Sequence, residues 1–156
     1  FQMYNDTLEG IVPRKKIRIR TYDTEVFENS NSNYALEVKV TTEHKRLKSI
    51  NKNIDFEDLI IDGIFDKNYG VCHQKVDITY LREYFLIDNI RVTIDRDIKY
   101  KLNDRILCKE KKELEDKSYV LEVKTDINKS LTFLSNNFDF PRSRFSKYER
   151  AIESLY

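Results

Sequence analysis

The chain has 156 residues, 35% of them charged, yet its formal net charge is only +1. That length suits one domain with room for a real core. So small a net charge excludes a simple polyanion-coating tail, though not a local basic site, because a sum hides where each sign lies. Cys72 and Cys108 form no C-x-x-C pair, and His44 and His73 are each isolated, so neither a zinc centre nor a redox dithiol is indicated. No apolar run approaches the roughly 20 residues that a membrane-spanning helix needs. No signal peptide is expected, and the thiols read as reduced and buried.

In chain order, the first periodic segment is PRKKIRIRTY (13–22). Arg14, Lys16, Arg18, Arg20 and Tyr22 share one face of a strand there, with Ile17 and Ile19 on the other. YALEVKV (34–40) follows, with Glu37, Lys39 and Thr41 alternating against Leu36, Val38 and Val40. FEDLIIDGIF (56–65) predicts a short helix ending near Gly63. In TYLREYF (79–85), Tyr80, Arg82 and Tyr84 share a face. In NIRVTID (89–95), Arg91, Thr93 and Asp95 alternate with Ile90, Val92 and Ile94. DIKYKL (97–102) predicts a further strand after a turn near Arg96. YVLEVKT (119–125) repeats the earlier LEVK, with Glu122 and Lys124 on one face. A helix is expected over 130–138 from Ser130. A second is expected from Ser146, where SKYE (146–149) has the spacing of a capping box. An Arg-bearing strand thus precedes an LEVK strand in each half, a weak internal repeat.

These strands carry polar faces rich in Arg, Lys, Glu and Tyr. Arg at i and i+2 suits oxyanions, because the guanidinium fork binds them bidentately. The expected fold is α+β: an antiparallel β-barrel with charged faces inward and helices covering its apolar outside. Glu-x-Lys on an inward face offers a carboxylate for a divalent cation and an ammonium for a phosphate. Lys147, in the first turn after Ser146, opposes the helix dipole, and a bound phosphate would relieve that conflict.

RKKIRIRTY, LEVKV…KRLKSI, YLREYF, IRVTID, VLEVKT and RFSKYERAIESL resemble, in this order, the motifs of the VTC domain. This is the polyphosphate polymerase domain of the vacuolar transporter chaperone complex and its bacterial relatives, in the triphosphate tunnel metalloenzyme (CYTH-like) superfamily. The resemblance covers nearly the whole chain and implies one VTC-like domain over 1–156. It implies a basic triphosphate tunnel and transfer of the γ-phosphoryl group of ATP onto polyphosphate with Mn²⁺ or Mg²⁺. A triphosphatase in the same tunnel, or a module that only binds polyphosphate, are the rival readings. Carried over by motif, Arg18, Arg20, Lys39, Arg82 and Arg91 would be the catalytic cations. Lys48, Tyr80, Lys124, Ser146 and Lys147 would join them as phosphate ligands, and Glu122 would hold the metal. Family members place further strands ahead of the R-x-R strand. Here YNDTLEG (4–10) leads almost directly into it, so the first strands and their phosphate-binding Lys are expected to be missing. Sheet edges left exposed would favour homo-oligomers. No nucleic acid is expected as a partner. A cytoplasmic site is expected, at the inner face of a membrane if a membrane protein outside this chain recruits it.

Overall fold

The computed structural model describes residues 1–22, 34–52, 54–87, 90–103, 112–125 and 131–156. Cys108, Asn89, Asp126 and the expected cap Ser130 lie outside the described residues. The chain divides into two compact units, Phe1–Gln74 and Lys75–Tyr156. Both are built on antiparallel sheets, and four helices accompany them among the described residues.

In the first unit, α1 (Gln2–Leu8) precedes a three-stranded sheet in the order β1 (Arg14–Arg20), β2 (Ala35–Thr41), β3 (Arg46–Asn51). The register sets Arg18 opposite Glu37, and Lys16, Lys39 and Lys48 in one row across the three strands. The alternation predicted for β1 and β2 is present. β3 escaped prediction because its period is imperfect: Ile50 falls on the same face as Arg46 and Lys48. α2 (Phe56–Asp62) starts at Asp55, whose carboxylate accepts from the Glu57 and Asp58 backbone N–H groups. It ends at Gly63, as predicted, and the chain turns directly into β4 (Ile64–Asp66), paired with β5 (Gly70–Cys72). Gly63 has φ +80°, and a Cβ there would stand 2.8 Å from Val71 Cγ1, so the turn both permits and requires glycine. Lys15 Nζ donates to Asp66 Oδ2 at 2.7 Å and Tyr69 Oη donates to Asp6 Oδ2 at 2.6 Å, tying the small hairpin to β1 and α1.

The second unit is organised by a long hairpin, β6 (Val76–Ile87) and β7 (Ile90–Leu102). On its other edge β7 pairs β8 (Glu113–Asp116) through Ile98–Lys101 and β9 (Val120–Lys124) through Arg91–Asp95. The turn predicted near Arg96 is instead a β-bulge within one continuous strand. Thr79 pairs Lys99 and Leu81 pairs Arg96, so Asp97 and Ile98 together oppose Tyr80, and Asp97 takes φ +52°. The bulge has a large consequence. It flips the alternation of β7, so the apolar residues of its second half (Ile98, Tyr100, Leu102) share a face with the polar residues of its first half (Thr93, Asp95).

That shared face receives α4 (Lys147–Leu155), whose Ala151 and Leu155 pack on Ile98, Tyr100 and Leu102, with Val76, Ile78, Tyr80 and Val120 at the margin. Asp116 fastens the helix further, accepting from Tyr100 Oη at 2.8 Å and Arg150 Nη1 at 2.9 Å. The expectation that helices cover only the apolar side of the strands therefore fails for α4, which lies on the side of the charged residues. α3 (Leu131–Asn137) corresponds to the helix predicted over 130–138. Among the described residues no sheet closes on itself, so the sheets are open where a closed barrel was expected.

The bulge yields a direct prediction. Asp tolerates the left-handed region better than a β-branched residue does. Asp97→Val is expected to cost about 1–2 kcal/mol in urea denaturation, whereas Asp97→Gly is expected to match or exceed wild type. Equal losses in both variants would show that the positive φ is not what position 97 requires.

Candidate anion-binding site

On the first sheet the register collects Arg14, Lys16, Arg18, Arg20, Lys39, Arg46 and Lys48 on one face, and one carboxylate among them, Glu37. Like charges directly opposite in a sheet destabilise it, so seven cations gathered this way demand an anion. Glu37 supplies part of the compensation from the middle strand. Its Oε2 takes Arg18 Nε at 2.7 Å and Arg18 Nη2 at 2.5 Å; its Oε1 lies 3.0 Å from Arg20 Nη2 and 2.8 Å from Lys48 Nζ. These long side chains fold over the carboxylate until it is 0% exposed, the most enclosed position on the sheet. Burial alone would raise its pKa. Hydrogen bonds from Lys48 and Arg18 and the charges of Arg18 and Arg20 outweigh that and hold it at about 2. Arg20 also lies 4.4 Å over the ring of Tyr22.

Glu37 is therefore not the open metal ligand that Glu-x-Lys suggested. Both its oxygens are occupied by cations, and a metal would have to displace three side chains. The structure brings Arg18, Arg20 and Lys48 together around it, with Lys39 exposed between Lys16 and Lys48. Lys16, Arg14 and Arg46 complete the face. Arg46 was not anticipated, because β3 was not read as a strand.

On the second sheet, Arg82 opposes Asp95, Tyr84 opposes Thr93, and Thr93 opposes Glu122, all on one face with Arg91 and Lys124. Asp95 plays the part that Glu37 plays on the first sheet. It accepts from Arg82 Nε at 2.5 Å and Nη2 at 2.7 Å, and from Lys147 Nζ at the start of α4. Tyr80 lies under both cations, its ring centre 5.2 Å from the Arg82 guanidinium and 4.5 Å from Lys147 Nζ. Asp95 is 1% exposed. Burial would raise its pKa, but the hydrogen bonds and charges of Arg82 and Lys147 lower it. The anion that offsets the misplaced charge of Lys147 is thus Asp95 itself, where a bound phosphate was expected. Ser146 is the N-cap of α4, accepting from the Glu149 backbone N–H at 3.4 Å.

Glu122 stands in contrast. It is 45% exposed and its Oε1 lies 3.0 Å from Lys124 Nζ. The two LEVK glutamates differ because β2 is a central strand and β9 an edge strand. Glu37 receives cations from both neighbours; among the described residues Glu122 has a β-neighbour, β7, on one side only. Among the described residues there is no group of three or more His, Cys, Asp or Glu that could hold a metal. An accessible carboxylate such as Glu122, though one oxygen faces Lys124, still fits a hard divalent cation that keeps its waters and is held mainly by substrate phosphates. Cys72 is a free thiol, and no described helix is long and apolar enough to cross a membrane.

Antiparallel α+β units, each with cations fixed on one sheet face, define the class. A family model described as the VTC domain matches residues 1–69 and 65–156. The chain belongs to the VTC domain family. No curated protein and no solved structure matches it.

The depressed pKa of Glu37 sets a pH dependence. A carboxyl lowered from 4.5 to about 2 stabilises the fold fully above its ordinary value, and that contribution is lost as pH falls through about 2. At about 1.4 kcal/mol per unit, it amounts to roughly 3 kcal/mol. Urea midpoints measured from pH 6 to pH 2 are expected to fall chiefly below pH 4.5. Glu37→Gln should retain only the part of that slope owed to Asp66, Asp95 and Asp116, whose carboxyls are also lowered. An identical slope in the variant would contradict the assignment.

Proposed function

We propose that this chain is the catalytic domain of a metal-dependent polyphosphate polymerase, transferring the γ-phosphoryl group of ATP to the end of a polyphosphate chain. The observation that carries the reading is the lysine row Lys16–Lys39–Lys48, flanked by Arg14, Arg18, Arg20 and Arg46 on one face. A sheet that keeps seven cations around one carboxylate is suited to a polyanion with closely spaced charges, and membership of the VTC family makes polyphosphate the fitting one.

In this reading a terminal oxygen of the polyphosphate attacks the γ-phosphorus of ATP in line. The bond from that phosphorus to the β,γ-bridging oxygen breaks, and ADP leaves with the electron pair. Within the first unit Arg18, Arg20, Lys39 and Lys48 are the groups that would bind phosphate oxygens, and within the second Arg82, Arg91, Lys124 and Lys147; cations of this kind offset charge on a transferring phosphoryl group. Tyr80 holds Arg82 and Lys147 by its ring face, and Ser146 presents the N-terminus of α4. Glu122 would hold Mn²⁺ or Mg²⁺, which when bound neutralises phosphate charge. No protein nucleophile is required.

The product decides the reaction. With ATP and Mn²⁺, the full-length protein is expected to form long-chain polyphosphate on gels. Release of orthophosphate alone would point to a triphosphatase, and tripolyphosphate binding without turnover to a binding module. Glu122→Gln is expected to lower synthesis by orders of magnitude while tripolyphosphate affinity holds or rises, since a negative charge is removed. Equal activity and equal Mn²⁺ response in both forms would sink the metal assignment.

Lys39→Gln separates binding from folding. Lys39 is exposed, so the substitution should leave unliganded stability within about 0.5 kcal/mol. Tripolyphosphate affinity, measured by calorimetry at low salt, should fall by about 1.5–3 kcal/mol, the worth of a charge-assisted hydrogen bond. Arg18→Ala is the poorer probe, because it also strips a partner from the enclosed Glu37 and destabilises the fold. Unchanged affinity in Lys39→Gln would remove the lysine row from the site.

A further inference from the structure

We propose that Glu37 and Asp95 are positioning residues: each pins cations of its own sheet to receive phosphate oxygens, and neither touches substrate or metal. The inference rests on the phosphate-binding reading above and deepens it. Three observations carry it. First, both carboxylates are enclosed, at 0% and 1% exposure, so a solute cannot reach them without dismantling the cluster. Second, their oxygens face cations: Arg18 donates to Glu37 Oε2, Arg20 and Lys48 stand at ion-pair distance from Oε1, and Arg82 and Lys147 donate to Asp95. All five are residues that the family resemblance makes phosphate ligands. Third, both carboxylates lie on central strands, β2 and β7: Glu37 meets cations from both flanking strands, and Asp95 meets one from β6 and one from α4.

The chemistry follows from donor numbers. A guanidinium has five N–H donors and an ammonium three. One carboxylate cannot accept all the donors of two or three such groups. It can fix their orientation while other donors remain to serve an anion. A long Arg or Lys side chain ordered beforehand loses less conformational freedom when the anion arrives. The enclosed anion also lets cations stand side by side in the unliganded protein at a separation that suits neighbouring phosphates.

The test exploits a difference in sign. If charge alone counted, removing a carboxylate from among cations would tighten anion binding. Positioning demands the reverse. Tripolyphosphate binding to full-length wild type, Glu37→Gln and Asp95→Asn is measured by calorimetry, at temperatures where melting curves show each form folded. Each variant is expected to bind at least about tenfold more weakly, the loss of one charge-assisted hydrogen bond. Unchanged or tighter binding in the folded variants overturns the positioning role and leaves the phosphate-binding reading intact. Wild type that does not bind tripolyphosphate removes both. Should a variant fail to fold, the wild type itself decides. The ¹⁵Nε resonances of Arg18 and Arg82 are expected to keep their hydrogen-bonded shifts when tripolyphosphate saturates the protein. Movement of these resonances to the unpaired position would mean that the carboxylates release their cations to the ligand, which overturns the proposal.

Discussion

A buried carboxylate on a central strand, faced by cations, is the interaction on which each of the two larger sheets depends. Isolated, such a carboxylate would be too costly to bury in charged form. Paired with Arg18, Arg20 and Lys48, Glu37 stays ionised and in turn permits those cations to crowd together. A buried ion cluster of this kind is weak evidence for stability in itself, because apolar packing of equal volume is often as good. It sits on a sheet with few enclosed apolar side chains, so the cluster stands where apolar packing is sparse.

The second unit meets the same constraint by different means. Asp95 gathers one cation from the neighbouring strand and one from a helix. The helix can approach because the bulge at Asp97 and Ile98 turns the apolar half of β7 onto the polar face. Ile98, Tyr100 and Leu102 then hold Ala151 and Leu155, and that packing delivers Lys147 to Asp95 and Tyr80. A local backbone irregularity thereby decides which charged groups can meet. The charged cluster of this unit is thus coupled to the docking of its C-terminal helix, and packing changes at Leu155 would reach Asp95 through Lys147.

The repeated LEVK shows how one motif can serve two ends. Glu37 and Glu122 sit in identical tetrapeptides, yet one is sealed and the other open to water. The sealed glutamate suits the arrangement of cations, and the accessible one has oxygens to offer a metal. The Arg-bearing strand does pair with the LEVK strand in both units, β1 with β2 and β7 with β9, though in different registers.

The sequence by itself determined the β1, β2, β6 and β9 faces, the capping box at Ser146 and the family, because alternation, capping and motif order are local properties of the chain. Arg18, Arg20, Lys39, Arg82 and Arg91 could be placed on polar faces from period two alone. Tertiary structure decided the rest. It made β3 a strand despite Ile50 on its basic face, since pairing with β2 overrides a flawed period. It turned the break at Arg96 into a bulge. It also enclosed Asp95 and Glu37 among cations and left Glu122 exposed. Those outcomes follow from which strands flank which, and strand order is a long-range pairing that no tetrapeptide encodes.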